Sequence, residues 1–456
     1  VTSSAPTADP GGSDPNRNAA EPPRHDVRQA RRAGVTAFVG TTIEWFDFYI
    51  YGTASALVLG RLFFPDASPA VGTLAAFATF AVGFIARPLG GVVFGHFGDK
   101  FGRKNAVIVT LALMGAGTVG VGLLPTYATI GVWAPILLVL LRVLQGVAMG
   151  GEWGGAVLIA TEFAPQDKKV LYGAFAQQGS PVGNLLATMA FLGLSVLSDS
   201  VFESWGWRIP FLGSAVLVAV ALYIRLTISE TPEMRTAVQA QERNRIPIVE
   251  VLRAHSGKVL LGIGAVVAGV AITYIKTTFA LSWATADLGY GRSEFLLVVT
   301  ISLVVQVIVQ PFGAVLATRM NPRRAVAIIL LPELVLLPMM FLLVKTGSLT
   351  LAIIGMALAT APHSMYYSAL AGILAQRFPT HIRYTGISLA YQVSTAIFAG
   401  TAPMVSQFLL TRSGSIWPVV ALGLGYVLLS LICMRVLLRP DRETAPASAR
   451  LEPAVA

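Results

Sequence analysis

Glu44 and Asp47 stand three residues apart in a segment with no other charge, Gly40-Thr-Thr-Ile-Glu44-Trp-Phe-Asp47-Phe-Tyr49-Ile-Tyr51-Gly52. On a helix that spacing turns both carboxylates to one side, with Tyr51 a turn further on. Away from water, desolvation and mutual repulsion both work against the doubly ionised pair, so one acid is expected to hold a proton near neutral pH. A proton carrier needs that property. The competing reading is permanent neutralisation by Arg87 or Arg142. A second stripe lies in Arg142-Val-Leu-Gln145-Gly146-Val-Ala-Met149-Gly150-Gly151-Glu152, where Arg142, Gln145, Met149 and Glu152 share a helix face. Charges inside an apolar helix are costly and usually face an aqueous cavity or a partner. An internal ion pair that only fixes packing is the alternative. The glycines permit close approach of a neighbouring helix.

Arg87 sits about eight residues before Gly95, ~12 Å into an apolar run at 1.5 Å per residue. Pro88 follows it and can bend the helix there. A guanidinium offers a fork matched to a carboxylate, so substrate binding and pairing with Asp47 or Glu44 are both open to it. Lys276 is a lone cation in a later apolar run, flanked by Tyr274 and Trp283, and its depth alone makes it a functional candidate. Gln306, Gln310, His363, Tyr366, Tyr367, Tyr391 and Gln392 are expected near it, with Gln177, Gln178 and Asn184 on the opposing wall. Each can tie helices together or meet a ligand. Arg208, at the mouth of a run, can attract an anion or anchor in headgroups.

These residues sit in a chain built of apolar runs. Of 456 residues, 55% are hydrophobic and 12% charged, with a mean hydropathy of +0.69. Soluble domains average about 25% charged residues, so this composition cannot cover a globule in water. Runs such as Val259–Ala280 and Ala325–Val344 are each long enough to cross a ~30 Å hydrocarbon core as a helix. Twelve such spans make an all-α polytopic membrane protein. The expected organisation is a disordered tail over 1–33, a six-helix half over 34–228, a central loop over 229–256, a second six-helix half over 257–438 and a tail over 439–456. The first tail is rich in Pro, Gly and Ser and lacks a signal-peptide pattern. Basic residues crowd alternate loops, as at Lys100, Arg103 and Lys104, Lys168 and Lys169, or Arg319, Arg323 and Arg324. The loops between hold at most one each: Arg61, Arg208, Arg292, Lys345 and Arg412. Positive charge marks the cytoplasmic side, so both termini are expected there, in a cell (inner or plasma) membrane. The net charge of +10 is then topogenic, and no nucleic-acid partner is expected. With Cys433 as the single cysteine and five histidines without ligand spacing, no disulfide, metal or cofactor is expected.

Gly95-His-Phe-Gly-Asp99-Lys-Phe-Gly102-Arg103-Lys104 follows the second run, and a degenerate copy, Gly313 to Arg324 with Ala317 in place of the Asp, follows the eighth. Paired six-helix halves produce such parallel repeats. The first turn resembles the signature between helices two and three of the major facilitator superfamily. That resemblance implies a conformational latch at Gly95, Asp99, Gly102, Arg103 and Lys104. The Arg142–Glu152 stretch resembles a superfamily motif associated with proton coupling. Glu44-Trp-Phe-Asp-Phe-Tyr, Arg87-Pro-Leu-Gly-Gly, Gly151-Glu-Trp-Gly-Gly and Gly206-Trp-Arg208-Ile-Pro-Phe resemble the metabolite:proton symporter family, densely over residues 34–235. Its members move dicarboxylates, shikimate, citrate or zwitterionic osmolytes, and the likeness leans to shikimate and α-ketoglutarate permease-like transporters. In that fold Glu333, beside Pro332, falls on a helix outside the cavity, at the periphery.

The resemblance implies a monomer in a lipid bilayer that imports a small organic anion, a mono- or dicarboxylate, with protons, by alternating access. Glu44, Asp47, Arg142 and Glu152 are the candidates for coupling. Tyr51, Arg87, Gln145, Gln178, Arg208, Lys276, Gln306, Tyr366 and Tyr391 are the candidates for substrate. Uptake of a zwitterion such as proline or betaine, and a membrane sensor without transport, are the alternatives. No nucleophile–base constellation supports an enzyme.

Overall fold

The computed structural model describes residues 27–91, 93–94, 103–150, 169–227, 247–379 and 382–439. Among the described residues the spans resolve into twelve helical rods, eight of them long and apolar enough to cross a membrane. The first half holds α1 (Val27–Ala54), α2 (Pro69–Gly91), α3 (Arg103–Leu123), α4 (Trp133–Met149), α5 (Lys169–Leu194) and α6 (Ile209–Thr227). The second holds α7 (Ser256–Ala286), α8 (Arg292–Arg319), α9 (Pro322–Lys345), α10 (Leu349–Ala375), α11 (Thr385–Ser413) and α12 (Trp417–Leu437). Two expectations shift. α1 already starts at Val27, inside the stretch read as a tail. Ala30, Ala33 and the arginines between them are good helix formers and extend the rod beyond its apolar part. A short helix, Pro247–Ala254, likewise occupies the end of the stretch read as a central loop, opened by a proline at its first position.

Local sequence explains several boundaries. Gly291 begins α8, and its N–H donates to Glu294 Oε2 at 2.8 Å, as in a capping box. Asn321 caps α9 by accepting from Arg323 N, with Pro322 just inside. α9 breaks at Pro332, because a proline has no N–H to give, and Glu333 opens the segment that follows. α1 runs directly into a π-helical turn at Ser55–Leu59, and α7 and α11 each contain one, at Ile275–Phe279 and Thr395–Ala399. α1 and α7 hold equivalent places in the two halves, so the repeat seen in the loops extends to helix geometry.

Hydrophobicity is arranged as a bilayer demands. Large apolar side chains such as Leu89, Val216, Leu260, Val335 and Ile432 are exposed on the outer surface. Arg87, Arg142, Lys276, Asp47 and Glu333 are buried among the helices. In water this would be costly; in hydrocarbon it is the arrangement that spares both kinds of group.

The halves meet along α5 with α8 and α10, and along α2 with α11. Gln178 Nε2 donates to Val307 O at 2.7 Å and Gln310 Nε2 to Gln177 O at 3.0 Å. Toward the end that carries the basic loops, Gln392 Nε2 donates to Gly150 O at 3.2 Å. At the opposite end Arg292 of α8 clasps the turn after α5. It donates to Asp199 Oδ1 (3.0 Å), Leu197 O (2.9 Å) and Ser195 O (3.3 Å), and lies 3.9 Å from the centroid of Phe202. Asp199 is largely exposed, so the carbonyl bonds and the ring carry most of the clasp's strength. Arg292→Ala should weaken closure there by about 1–2 kcal/mol, roughly 5- to 30-fold in population. The measurement is maleimide labelling of a cysteine placed at Thr278 in a Cys433→Ser background. Unchanged labelling would show that Arg292 does not hold this end shut.

Candidate functional site

α2 and α4 touch backbone to backbone, and that contact sets the first half of the site. A Cβ added at Gly146 would lie 2.1 Å from Gly83 O, one at Gly150 2.0 Å from Arg87 O, and one at Gly90 1.9 Å from Val147 O. Only glycine permits this approach, which places Arg87 and Arg142 side by side between helices. Gly146→Val should cost about 1–3 kcal/mol by forcing the helices apart. Gly213→Val on α6 is the control, since nothing lies within 4 Å of its Cβ position. Thermal melting of the two purified variants compares them; equal melting points would refute the contact's role.

From Arg142 a hydrogen-bond chain runs to Asp47. Arg142 Nη1 donates to Gln145 Oε1 (2.7 Å), Gln145 Nε2 donates to Thr118 Oγ1 (2.8 Å), and Thr118 Oγ1 donates to Asp47 Oδ2 (2.9 Å). All four side chains are buried. Asp47 Oδ1 makes no hydrogen bond within 3.5 Å, although the Ser214 hydroxyl is a further polar neighbour of the carboxylate, and Arg142 Nε and Nη2 likewise make none. The Arg142 guanidinium lies 4.1 Å from the centroid of the Tyr51 ring, whose hydroxyl meets Thr79 Oγ1 at 2.5 Å. Acid and cation are thus joined through two neutral groups rather than in direct contact.

The two acids of α1, Glu44 and Asp47, have different charged neighbours. The charge acting on Asp47 is Arg142, whereas Glu44 lies within electrostatic reach of Arg87 and Tyr367. The helix carrying them packs against α5 on one side and α6 on another, so the two acids meet different neighbours.

Arg87 occupies an aromatic cluster. Its guanidinium lies 4.2 Å from the Phe84 centroid, 4.3 Å from Phe48 and 5.3 Å from Trp45. Nη2 donates to Met149 Sδ at 2.8 Å, and Nε has no hydrogen-bond partner. Tyr274 of α7 closes the cluster from the other half. It stacks on Tyr49 with centroids 5.5 Å apart and meets Phe80 and Phe84 edge-on at 5.3 and 5.5 Å. Its hydroxyl makes no hydrogen bond within 3.5 Å, and Tyr49 is its polar neighbour. Tyr367 and Tyr391 lie nearby with their hydroxyls 3.0 Å apart.

In the second half the π turn of α7 carries Lys276 into the interior. Its Nζ donates to Ala359 O (3.1 Å) and Thr360 Oγ1 (2.9 Å), and lies 2.8 Å from His363 Nδ1. Three contacts match the three hydrogens of an ammonium. With Nδ1 accepting, His363 carries its proton on Nε2 and donates it to Thr273 Oγ1 at 3.1 Å. π turns recur at functional sites because they turn a side chain off the regular ladder.

Other candidates lie elsewhere. Arg208 donates to Gly122 O (2.8 Å) and Leu124 O (2.7 Å), so it caps the end of α3. Tyr366 donates to Ala265 O at 2.5 Å and ties α10 to α7. Gln306 faces Gln310 at 3.4 Å, and Gln178 is spent on the seam between halves. Gly95, Asp99, Gly102 and Glu152 lie outside the described residues, and of Arg103 and Lys104 only the helical backbone is described. Sequence reading missed Thr118, the central link of the chain to Asp47. Its signal was available: it is the lone polar side chain in Met114-Gly-Ala-Gly-Thr118-Val-Gly.

Residues 33–246 match the family model for sugar (and other) transporters, and residues 261–455 that of the major facilitator superfamily. The shikimate transporter of Escherichia coli K12 is 41% identical over 402 residues, covering 87% of this chain and 92% of that protein. The inner membrane metabolite transport protein YhjE of the same strain is 39% identical, over 85% of this chain and 90% of that one. A glycine betaine/proline/ectoine/pipecolic acid transporter of Dickeya dadantii is 34% identical, over 86% and 80%. Among solved structures, a partially occluded, inward-open xylose transporter of E. coli superposes with a TM-score of 0.70 at 16% identity, over 92% of this chain and 99% of that one. The chain belongs to the major facilitator superfamily. Within it, it is a metabolite transporter of the membrane, and not an enzyme.

Proposed function

We propose that this transporter imports a small organic anion, a mono- or dicarboxylate such as shikimate or α-ketoglutarate, together with protons, by alternating access. The observation that carries the reading is the buried chain Asp47–Thr118–Gln145–Arg142 beside the Arg87 aromatic cluster. Asp47 with a free Oδ1 can take a proton, and Arg87 with an unspent Nε can meet a carboxylate. An anion that enters with enough protons moves no net negative charge inward. In this reading the basic loops face the cytoplasm and the Arg292 clasp lies toward the outer side of the buried aromatic cluster.

The relatives named for betaine and proline favour a zwitterionic cargo. Against this, the faces of Phe48 and Phe84 are covered by Arg87's own guanidinium. A cluster already holding a cation receives a carboxylate more readily than a quaternary ammonium. Uptake into proteoliposomes under an inward proton gradient tests the reading. Carboxylate accumulation that rises with the gradient is expected; accumulation indifferent to it would refute proton coupling. Uptake confined to proline or betaine would refute the organic anion.

A further inference from the structure

Glu333 is fully buried, and neither of its carboxyl oxygens has a hydrogen-bond partner in the protein. Sequence reading set it at the periphery; the fold turns it inward at the break after Pro332. Leu337, one turn on, packs with Ile272 of α7 against Gly423 of α12, so this part of α9 faces α7 and α12. Of the helices packed against it, α10 offers His363, Tyr366 and Tyr367, and α12 offers Tyr426, Cys433 and, in its last turn, Arg435. The charge that acts on Glu333 is Lys276, and Glu333 is the charge that acts on Lys276. They are not hydrogen-bonded: Nζ is spent on Ala359, Thr360 and His363. A carboxyl group held this deep with no donor of its own is costly as an anion unless its counter-charge stays unshared.

We propose that Glu333 is a second proton site, linked to substrate through Lys276. This rests on the organic-anion reading above. When a substrate carboxylate engages the Lys276 ammonium, two carboxylates would share one buried cation. Glu333 then binds a proton: an O–H bond forms on one carboxyl oxygen, the proton comes from the aqueous side open at that moment, and the buried net charge stays constant. Thr273, His363 and Lys276 already form a hydrogen-bonded line from α7 to α10. His363 can pass its Nε2 proton on while regaining one at Nδ1. Asp47 and Glu333 thus place one proton site in each half of the repeat.

The test uses full-length protein in detergent and four probes: shikimate, α-ketoglutarate, citrate and benzoate. Affinity is read from thermal stabilisation as a function of pH. Each proton taken up on binding makes Kd rise about tenfold per pH unit above the titration. Glu333→Gln is expected to bind a probe but to lose about one such tenfold step per pH unit relative to wild type. Because that variant leaves Lys276 without its counter-charge, Lys276→Gln combined with Glu333→Gln is made alongside. The neutral pair should melt near wild type, bind more weakly and show the same reduced slope. If a probe binds wild type with a pH slope and neither variant changes it, the Glu333 site is refuted and the proposed function stands. If no probe stabilises wild type, the organic-anion reading fails and this inference fails with it.

Discussion

Asp47→Asn is expected to cut proton-driven accumulation sharply while leaving exchange of substrate across the membrane intact. Asparagine keeps an oxygen for the Thr118 hydroxyl, whose bond to Asp47 Oδ2 spans 2.9 Å, so the helices α1 and α3 stay joined. What it loses is the proton: the position is fixed in the neutral form. A carrier locked neutral can complete the loaded half of its cycle but cannot return by releasing a proton. Gradient-driven uptake should fall on the order of 100-fold, the scale typical when a positioned proton-transfer group is removed. Counterflow, which needs no release, should stay within a few-fold of wild type. The pH dependence gives the sign. In wild type the proton is a co-substrate, so uptake rises as external pH falls; in Asp47→Asn the exchange rate should keep only the shallower pH dependence that a proton on Glu333 leaves. Accumulation that persists with its pH dependence would place the coupling proton elsewhere. Thr118→Val is the companion variant, because it cuts the chain to Arg142 without touching the acid, and its effect should be smaller.

Arg87→Ala should act on affinity instead of coupling. Removing one partner from a buried charged contact costs about 2–5 kcal/mol, which is roughly 30-fold or more in Kd. The Arg87 plane also rests on Phe48 and Phe84, at 4.3 and 4.2 Å from their centroids, and those rings would lose their neighbour. Arg87→Lys separates the two roles. It keeps the charge but loses the flat fork, so it should recover folding and only part of the affinity. The measurement is Kd for the probe that stabilises wild type, beside a melting curve for each variant. Equal affinity in Arg87→Lys and wild type would reduce Arg87 to a point charge. Unchanged affinity in a folded Arg87→Ala would remove it from the site.

The twelve-helix architecture was legible because its causes are local. Apolar run length and loop charge are properties of consecutive residues, and the bilayer reads them one segment at a time. The buried charges were legible for the same reason: Arg87, Arg142, Asp47 and Lys276 are conspicuous in runs that should contain none. Chain order left their partners undetermined. Asp47 meets Thr118, 71 residues on, and Lys276 meets His363, 87 residues on. Spacing on α1 set Glu44 one turn from Asp47, but which cation each acid answers to, Arg87 or Arg142, depended on the helices packed around them. Arg208 looked available to an anion until α3 ended beneath it with two free carbonyls. Arg292 was one basic residue in a sparse loop, and only the meeting of the halves made it a clasp. Glu333 changed most: a proline break and the packing of α9 on α10 and α12 moved it from an expected edge to full burial within electrostatic reach of Lys276. By itself, then, the sequence determined which residues would be costly to bury. Tertiary structure decided what compensates each of them, because in hydrocarbon a charge takes its partner from whichever helix packs against it.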